Sequence, residues 1–176
     1  GAYQITTGLT DYVSSPGWGS NPWGDGTWGS GSALGVSGQL RLYSQDNFGE
    51  DLIFNVRDGG IFYWDESGGL SARGVNITAL SGASNCPTIA AQVLVSDNDQ
   101  HVIAFGANTL GSANQDPLLV RWSDQESAAD WTPTATNTAG GVRVNSGSKI
   151  VGAVQTRQEI LIWTDVSVHS MRFVGA

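Results

Sequence analysis

The side chains with most capacity for acid–base chemistry in this 176-residue chain are two histidines, His101 and His169, and three carboxylate pairs. The pairs are Asp65 with Glu66, Asp97 with Asp99, and Asp124 with Glu126. Two acids flanking a sugar bond are what glycoside hydrolysis requires. Asp97-Asn98-Asp99 also offers oxygens to calcium, but lacks the further ligands and the glycine of an EF-hand loop. Each pair, however, follows a predicted strand, where acidic residues usually form turns by accepting hydrogen bonds from local backbone amides. The two histidines fall on different strands, with neither nucleophile nor ligand beside them in sequence, so both are expected on strand faces. No G-x-S-x-G, G-x-x-x-x-G-K-[ST], H-E-x-x-H or C-x-x-C motif occurs. The expectation is therefore no catalytic residue, no cofactor and no metal site. Cys86 is the single cysteine, so no intrachain disulfide forms.

The elements that would position these groups are written in period two. Asp51 to Arg57, a Gly59-Gly60 turn and Ile61 to Asp65 read as a hairpin. His101 to Phe105 with Leu118 to Ser123, and Ile160 to Trp163 with Val166 to Met171, repeat the phrase. Each copy has a β-rich run ahead of it: Gln39 to Tyr43, Ile89 to Val95 and Lys149 to Val154. Matching the copies puts Leu52, Val102 and Ile160 in one column and Trp64, Trp122 and Met171 in another. Antiparallel units of three or four strands recurring at roughly 40 to 50 residues are the signature of propeller blades. Such a sheet covers its two faces only against neighbouring copies. The fold expected is all-β, of repeated three- to four-stranded antiparallel sheets, propeller-like, with a β-sandwich as the alternative. The divisions are 1–36, an N-terminal strand and Gly/Trp-rich loop, and 37–176, three repeats at about 37–80, 87–127 and 140–176. Helix has little room, unless Gln125 to Asp130 makes one turn.

In the first division Trp18, Trp23 and Trp28 sit five residues apart among glycines, a spacing that is neither helical nor strand-like. Flat indoles can stack on sugars or single-stranded bases. The plainer reading is that they anchor the loop on its own domain or on a neighbouring subunit, where Trp is enriched. Trp131, in a Thr/Pro-rich connection without a counterpart in the other repeats, is assigned the same contact role. Trp122 closes a strand and is expected in the packing of its repeat. Asn76-Ile77-Thr78 fits a glycosylation acceptor, a triplet common by chance.

Only 14% of the residues are charged, against a usual ~25%, and the formal charge is -8. So weakly charged a surface points to assembly with copies of itself. A negative balance disfavours direct nucleic-acid binding, which gains from neutralising phosphates, although an acidic surface suits the lining of a channel through which DNA slides. No apolar run reaches the ~20 residues of a membrane span. The abrupt beginning and end suggest a piece of a longer polypeptide.

The stretch from Arg121 to Phe173 resembles virion structural proteins of tailed bacteriophages, of the tail or tail-hub type. Trp122-Ser123-Asp124-Gln125-Glu126, Asp130-Trp131-Thr132-Pro133 and Gln158 to Asp165 carry the likeness, and the Gly-Trp-Gly segment shares it more loosely. The resemblance implies a building block rather than an enzyme. It would stand in many copies in a ring with other virion proteins, assembled in the host cytoplasm and resident in the phage tail. It carries over no catalytic residue. The rival reading is a Trp-rich carbohydrate-binding propeller, with Trp18, Trp23 and Trp28 as its contacts, and a glycosidase is a weaker third.

Overall fold

A computed structural model of the chain describes residues 42–97 and 99–174. The Gly/Trp-rich loop with Trp18, Trp23 and Trp28, and the expected N-terminal strand of the division 1–36, lie outside the described residues. The first sheet is a meander of β1 (Tyr43–Phe48), β2 (Asp51–Val56), β3 (Ile61–Trp64) and β4 (Val75–Asn76). The second runs β5 (Gln92–Val95), β6 (Val102–Phe105), β7 (Leu119–Trp122) and β8 (Gly140–Arg143). The third holds β9 (Ile150–Gln155), β10 (Ile160–Thr164) and β11 (Val168–Met171). Every pairing is antiparallel. The protein is all-β, built of three successive sheets that do not close into a ring. The boundary expected at 140 gives β8 to the third repeat, whereas β8 pairs with β7 and completes the second sheet. Two single-turn 3-10 helices, Glu66–Gly68 and Ile77–Ala79, are the described helices, and Gln125 to Asp130 forms none.

Alternation along the strands sorts the side chains into two apolar layers. Ile53 and Ile61 of the first sheet meet Val93, Val95, Val102 and Ala104 of the second. Ile103, Phe105 and Val120, on the other face of that second sheet, meet Ile150, Ala153, Ile160 and Ile162 of the third. The second sheet is therefore the middle layer, and all four residues of β6 are buried. This is why Val102 to Phe105 reads as an unbroken apolar run rather than an alternating one. Each buried Val, Ile or Phe among them contributes ~1.5 to 3 kcal/mol by leaving water.

The closest approaches between sheets run through their first strands, β1 against β5 and β5 against β9. A first strand has one unpaired edge, and here polar side chains of the preceding sheet satisfy it. The Ser44 hydroxyl and the Asp46 carboxylate of β1 accept from the backbone N–H groups of Val93 and Val95, both at 2.9 Å. Gln92 of β5 uses its amide as a strand would use a peptide group. Its Oε1 accepts from Ala153 N at 2.8 Å and its Nε2 donates to Ala153 O at 2.7 Å. Asn55, fully buried, donates to Ala90 O at 2.8 Å and completes the tie. The polar run Ser44 to Asn47 is thus strand because of what its side chains hold; of the run expected at 39–43, residues 39–41 lie outside the described residues and Tyr43 opens β1.

Trp64 and Trp122 pin the fourth strands. The Trp64 indole N–H donates to Ala72 O at 3.1 Å, and that of Trp122 to Thr138 O at 2.8 Å, in each case just ahead of the fourth strand. Gly140 makes room for the Trp122 ring, since a Cβ there would lie 2.7 Å from it. Met171, whose side chain has no N–H to donate, ends a sheet of three strands. The expected column of Trp64, Trp122 and Met171 does not share a face. Met171 pairs with Ile160 and faces the second sheet, whereas Trp122 pairs with Ile103 and faces the third.

Trp131 corrects the sequence reading more sharply. Expected at a loop or subunit contact outside the packing of the repeats, it is only 1% exposed and packs in the layer between the first and second sheets. The connection carrying it folds back on the loop before β5. Ser84 N donates to Ala129 O and Trp131 N to Ser84 O, each at 2.9 Å. The indole N–H is satisfied by Ala128 O at 2.9 Å. Trp122, expected in the packing, is half-buried against the third sheet.

Candidate functional site

A cavity of about 500 Å³ lies between the second and third sheets. The second sheet supplies His101, at the entry to β6, and Trp122, at the end of β7. The third supplies Gln155, Glu159 and Met171 around the β9–β10 turn and the end of β11, and Phe173 lies just beyond. The β5–β6 and β9–β10 hairpins bring their turns to the same end of adjacent layers, and this is what gathers residues so distant in sequence.

His101 is the most defined group of the site. It is 4% exposed, and its ring centroid stands 5.0 Å from that of Phe173. The Asp124 carboxylate accepts from Thr138 N and from the Thr138 hydroxyl, both at 2.8 Å. With that hydroxyl proton committed, the 2.9 Å contact between Thr138 Oγ1 and His101 Nε2 requires Nε2 to carry the hydrogen. Nδ1 is left as an acceptor in the neutral ring. Burial pushes the imidazole below its ordinary value of 6.5, against the opposite pull of Asp99 and Asp124. The hydrogen bonds from Thr138, the backbone one foremost, hold the Asp124 carboxyl below the usual range.

The sign of the resulting pH dependence follows by linkage. Below about pH 6.5 the unfolded chain takes up a proton at His101 that the folded chain resists, so stability falls as pH falls through that value. At lower pH, protonation of Asp124 removes its contribution in the same direction. Urea denaturation at pH 7.5 and pH 5.5 should show lower stability at the acid value. His101→Gln should remove the part of the slope nearest pH 6.5, and an unchanged slope would show that His101 is not its source.

Several of the other expected groups make hydrogen bonds that hold turns and connections. Asp65 caps the first 3-10 turn by accepting from Ser67 N at 2.8 Å, and Asn76 caps the second through Thr78 N at 3.0 Å. Asp124 ties its connection to Thr138, and Asp99 stands on the cavity wall. His169 bonds the Ser167 hydroxyl at 2.8 Å on the edge strand β11. Cys86 is a buried thiol whose pKa burial raises, donating to Ala129 O at 3.1 Å. Among the described residues no group of three or more His, Cys, Asp or Glu is placed to hold a metal ion, and no helix is long and apolar enough to cross a membrane. Sequence reasoning did not single out Gln155 or Phe173. Neither belongs to a motif, and only the stacking of two sheets brings them opposite His101. No family model, curated protein or solved structure matches the chain.

Proposed function

We propose that this chain is a structural component of a bacteriophage virion, of the tail or tail-hub type, working by assembly with copies of itself and with other virion proteins. The likeness of residues 121–173 supports the virion part of the reading. The outer face of the third sheet supports the assembly part. Opposite pairs across β9, β10 and β11 place Val154, Leu161 and Ser170 in one row and Gly152, Trp163 and Val168 in the next. Val154 is 46% exposed, Trp163 36% and Val168 55%, and the two rows contain no charged residue. The corresponding faces of the first and second sheets are covered by the sheet that follows each of them.

A second copy of the chain is the occupant this face fits. The first two sheets hold their successor through Ser44, Asp46 and Gln92, polar side chains of the first strand. On the third sheet the same strand offers only Gly152 and Val154. It has no side chain to satisfy another first strand's edge, so a flat apolar partner suits it better than a further sheet of the same kind. An identical face meeting its own copy is self-complementary. Light scattering on the whole chain should find dimers or larger species. Trp163→Glu together with Val168→Glu should weaken self-association at least about thirtyfold, the equivalent of ~2 kcal/mol at an interface hot spot. A chain that is monomeric at its highest soluble concentration, or self-association indifferent to both substitutions, overturns this reading.

A further inference from the structure

The cavity between the second and third sheets takes no part in the assembly just described, because it opens on the opposite face of the third sheet. Its walls combine strand ends with the loops that join them, and its volume of about 500 Å³ falls within the ~300 to 1,000 Å³ of small-molecule sites. Trp122 and Phe173 supply aromatic surface, and Ile103, Ile160 and Met171 supply aliphatic surface. Set into this surface are hydrogen-bonding groups that lean towards accepting. His101 presents Nδ1 as an acceptor, because the contact to Thr138 commits its one hydrogen to Nε2. Gln155 lines the cavity, but its Oε1, without a partner among the described residues, is closed to water as it stands and reaches the cavity only if the amide turns. A half-turn of that amide exchanges O and N, so the group can meet either kind of partner from the wall. Asp99 adds carboxylate oxygens, against the single cation Arg172 among the lining residues, while the Glu159 carboxylate is held by the Ser170 hydroxyl on the outer side of the third sheet.

These groups narrow the ligand by its chemistry. A phosphate or carboxylate would meet the Asp99 carboxylate as well as the Arg172 guanidinium, with no surplus of positive charge to hold it. A wholly apolar molecule would seal the acceptors away from water with nothing to bond them. A ring carrying several hydroxyls donates to the acceptors and lays its C–H face on indole and phenyl surface. We infer that this cavity is a binding site for a neutral saccharide of one or two rings. The inference does not depend on assembly, and it lies elsewhere in the chain than Trp18, Trp23 and Trp28.

The test is ligand-observed saturation-transfer NMR with calorimetry on the whole chain, using glucose, galactose, N-acetylglucosamine, maltose and lactose as probes. At least one should bind saturably and shift the indole N–H resonance of Trp122, identified by its loss in Trp122→Phe. Gln155→Leu separates a binding role from a structural one. It removes a buried acceptor that has no partner, so the melting temperature of the free protein should stay the same or rise, while saccharide affinity falls about tenfold. No binding by any of the five sugars overturns the inference. So does an unchanged affinity in Gln155→Leu, or tighter binding of benzylamine, a cationic aromatic probe, than of every sugar.

Discussion

Replacing Trp131 by Ala is expected to cost roughly 3 to 5 kcal/mol of folding stability, as the loss of a fully buried aromatic ring does. The ring lies among Ile77, Cys86 and Ala128 in the layer between the first and second sheets, where water does not replace it. Its loss also frees Ala128 O, which accepts the indole N–H, and uncovers the Arg121 guanidinium, 5.9 Å from the ring centroid. Trp122→Ala should cost less, because that ring is half-buried and borders a cavity already open beside it. Urea denaturation of both variants compares them directly. If Trp122→Ala proves the more damaging, the connection from Asp124 to Ala139 is not the core element described above.

Arg121→Met should be the second large effect, at about 3 kcal/mol. Arg121 is 4% exposed, and no carboxylate among the described residues pairs with it. Burial lowers its pKa, but a guanidinium stays charged in proteins. Carbonyl oxygens take the place of a counterion. Nη2 donates to Asn85 O at 2.6 Å and to Trp131 O at 3.4 Å, and Nη1 to Asn108 O at 3.3 Å. One planar group thus ties together the loop before β5, the loop after β6 and the connection that carries Trp131. Methionine keeps the aliphatic stem and abandons these carbonyls, each of which costs ~1 to 3 kcal/mol when left unsatisfied, partly offset by no longer burying a charge. Lysine should rescue little, since a single ammonium cannot reach three carbonyls in a planar fork. A Met variant as stable as the parent in urea would show that the guanidinium contributes nothing net. The losses at Arg121 and Trp131 should not add, because the two groups touch.

Burial at these two positions was not legible in the sequence. Trp131 stands in a Thr- and Pro-rich connection and Arg121 in the middle of an apolar strand, so local pattern assigns one to the surface and leaves the other unexplained. Each is buried by contacts with the loop before β5, far away in the chain. The same limit hid β1, whose polar side chains look like a loop until β5 is set beside them. It also hid the cavity, whose residues share no spacing.

What the sequence determined by itself is the local part of the structure. The strand runs in Ile160 to Met171 and in Asp51 to Trp64 follow from a period of two, which sends every second side chain to the same face, and the short turn between the runs of each pair makes them hairpins. The acids after strands, Asp65 and Asp124, become caps because a carboxylate in a turn finds backbone amides within two residues or in the adjoining connection. Only the tertiary structure decided which face each sheet covers, that Trp131 rather than Trp122 is core, and that His101 meets Gln155 and Phe173 across a cavity. The physical reason is that period two specifies two faces for a strand but not its neighbour. Here the neighbours are chosen by side-chain bonds to distant backbone, Asp46 to Val95 and Gln92 to Ala153, which leave no trace in the spacing of residues.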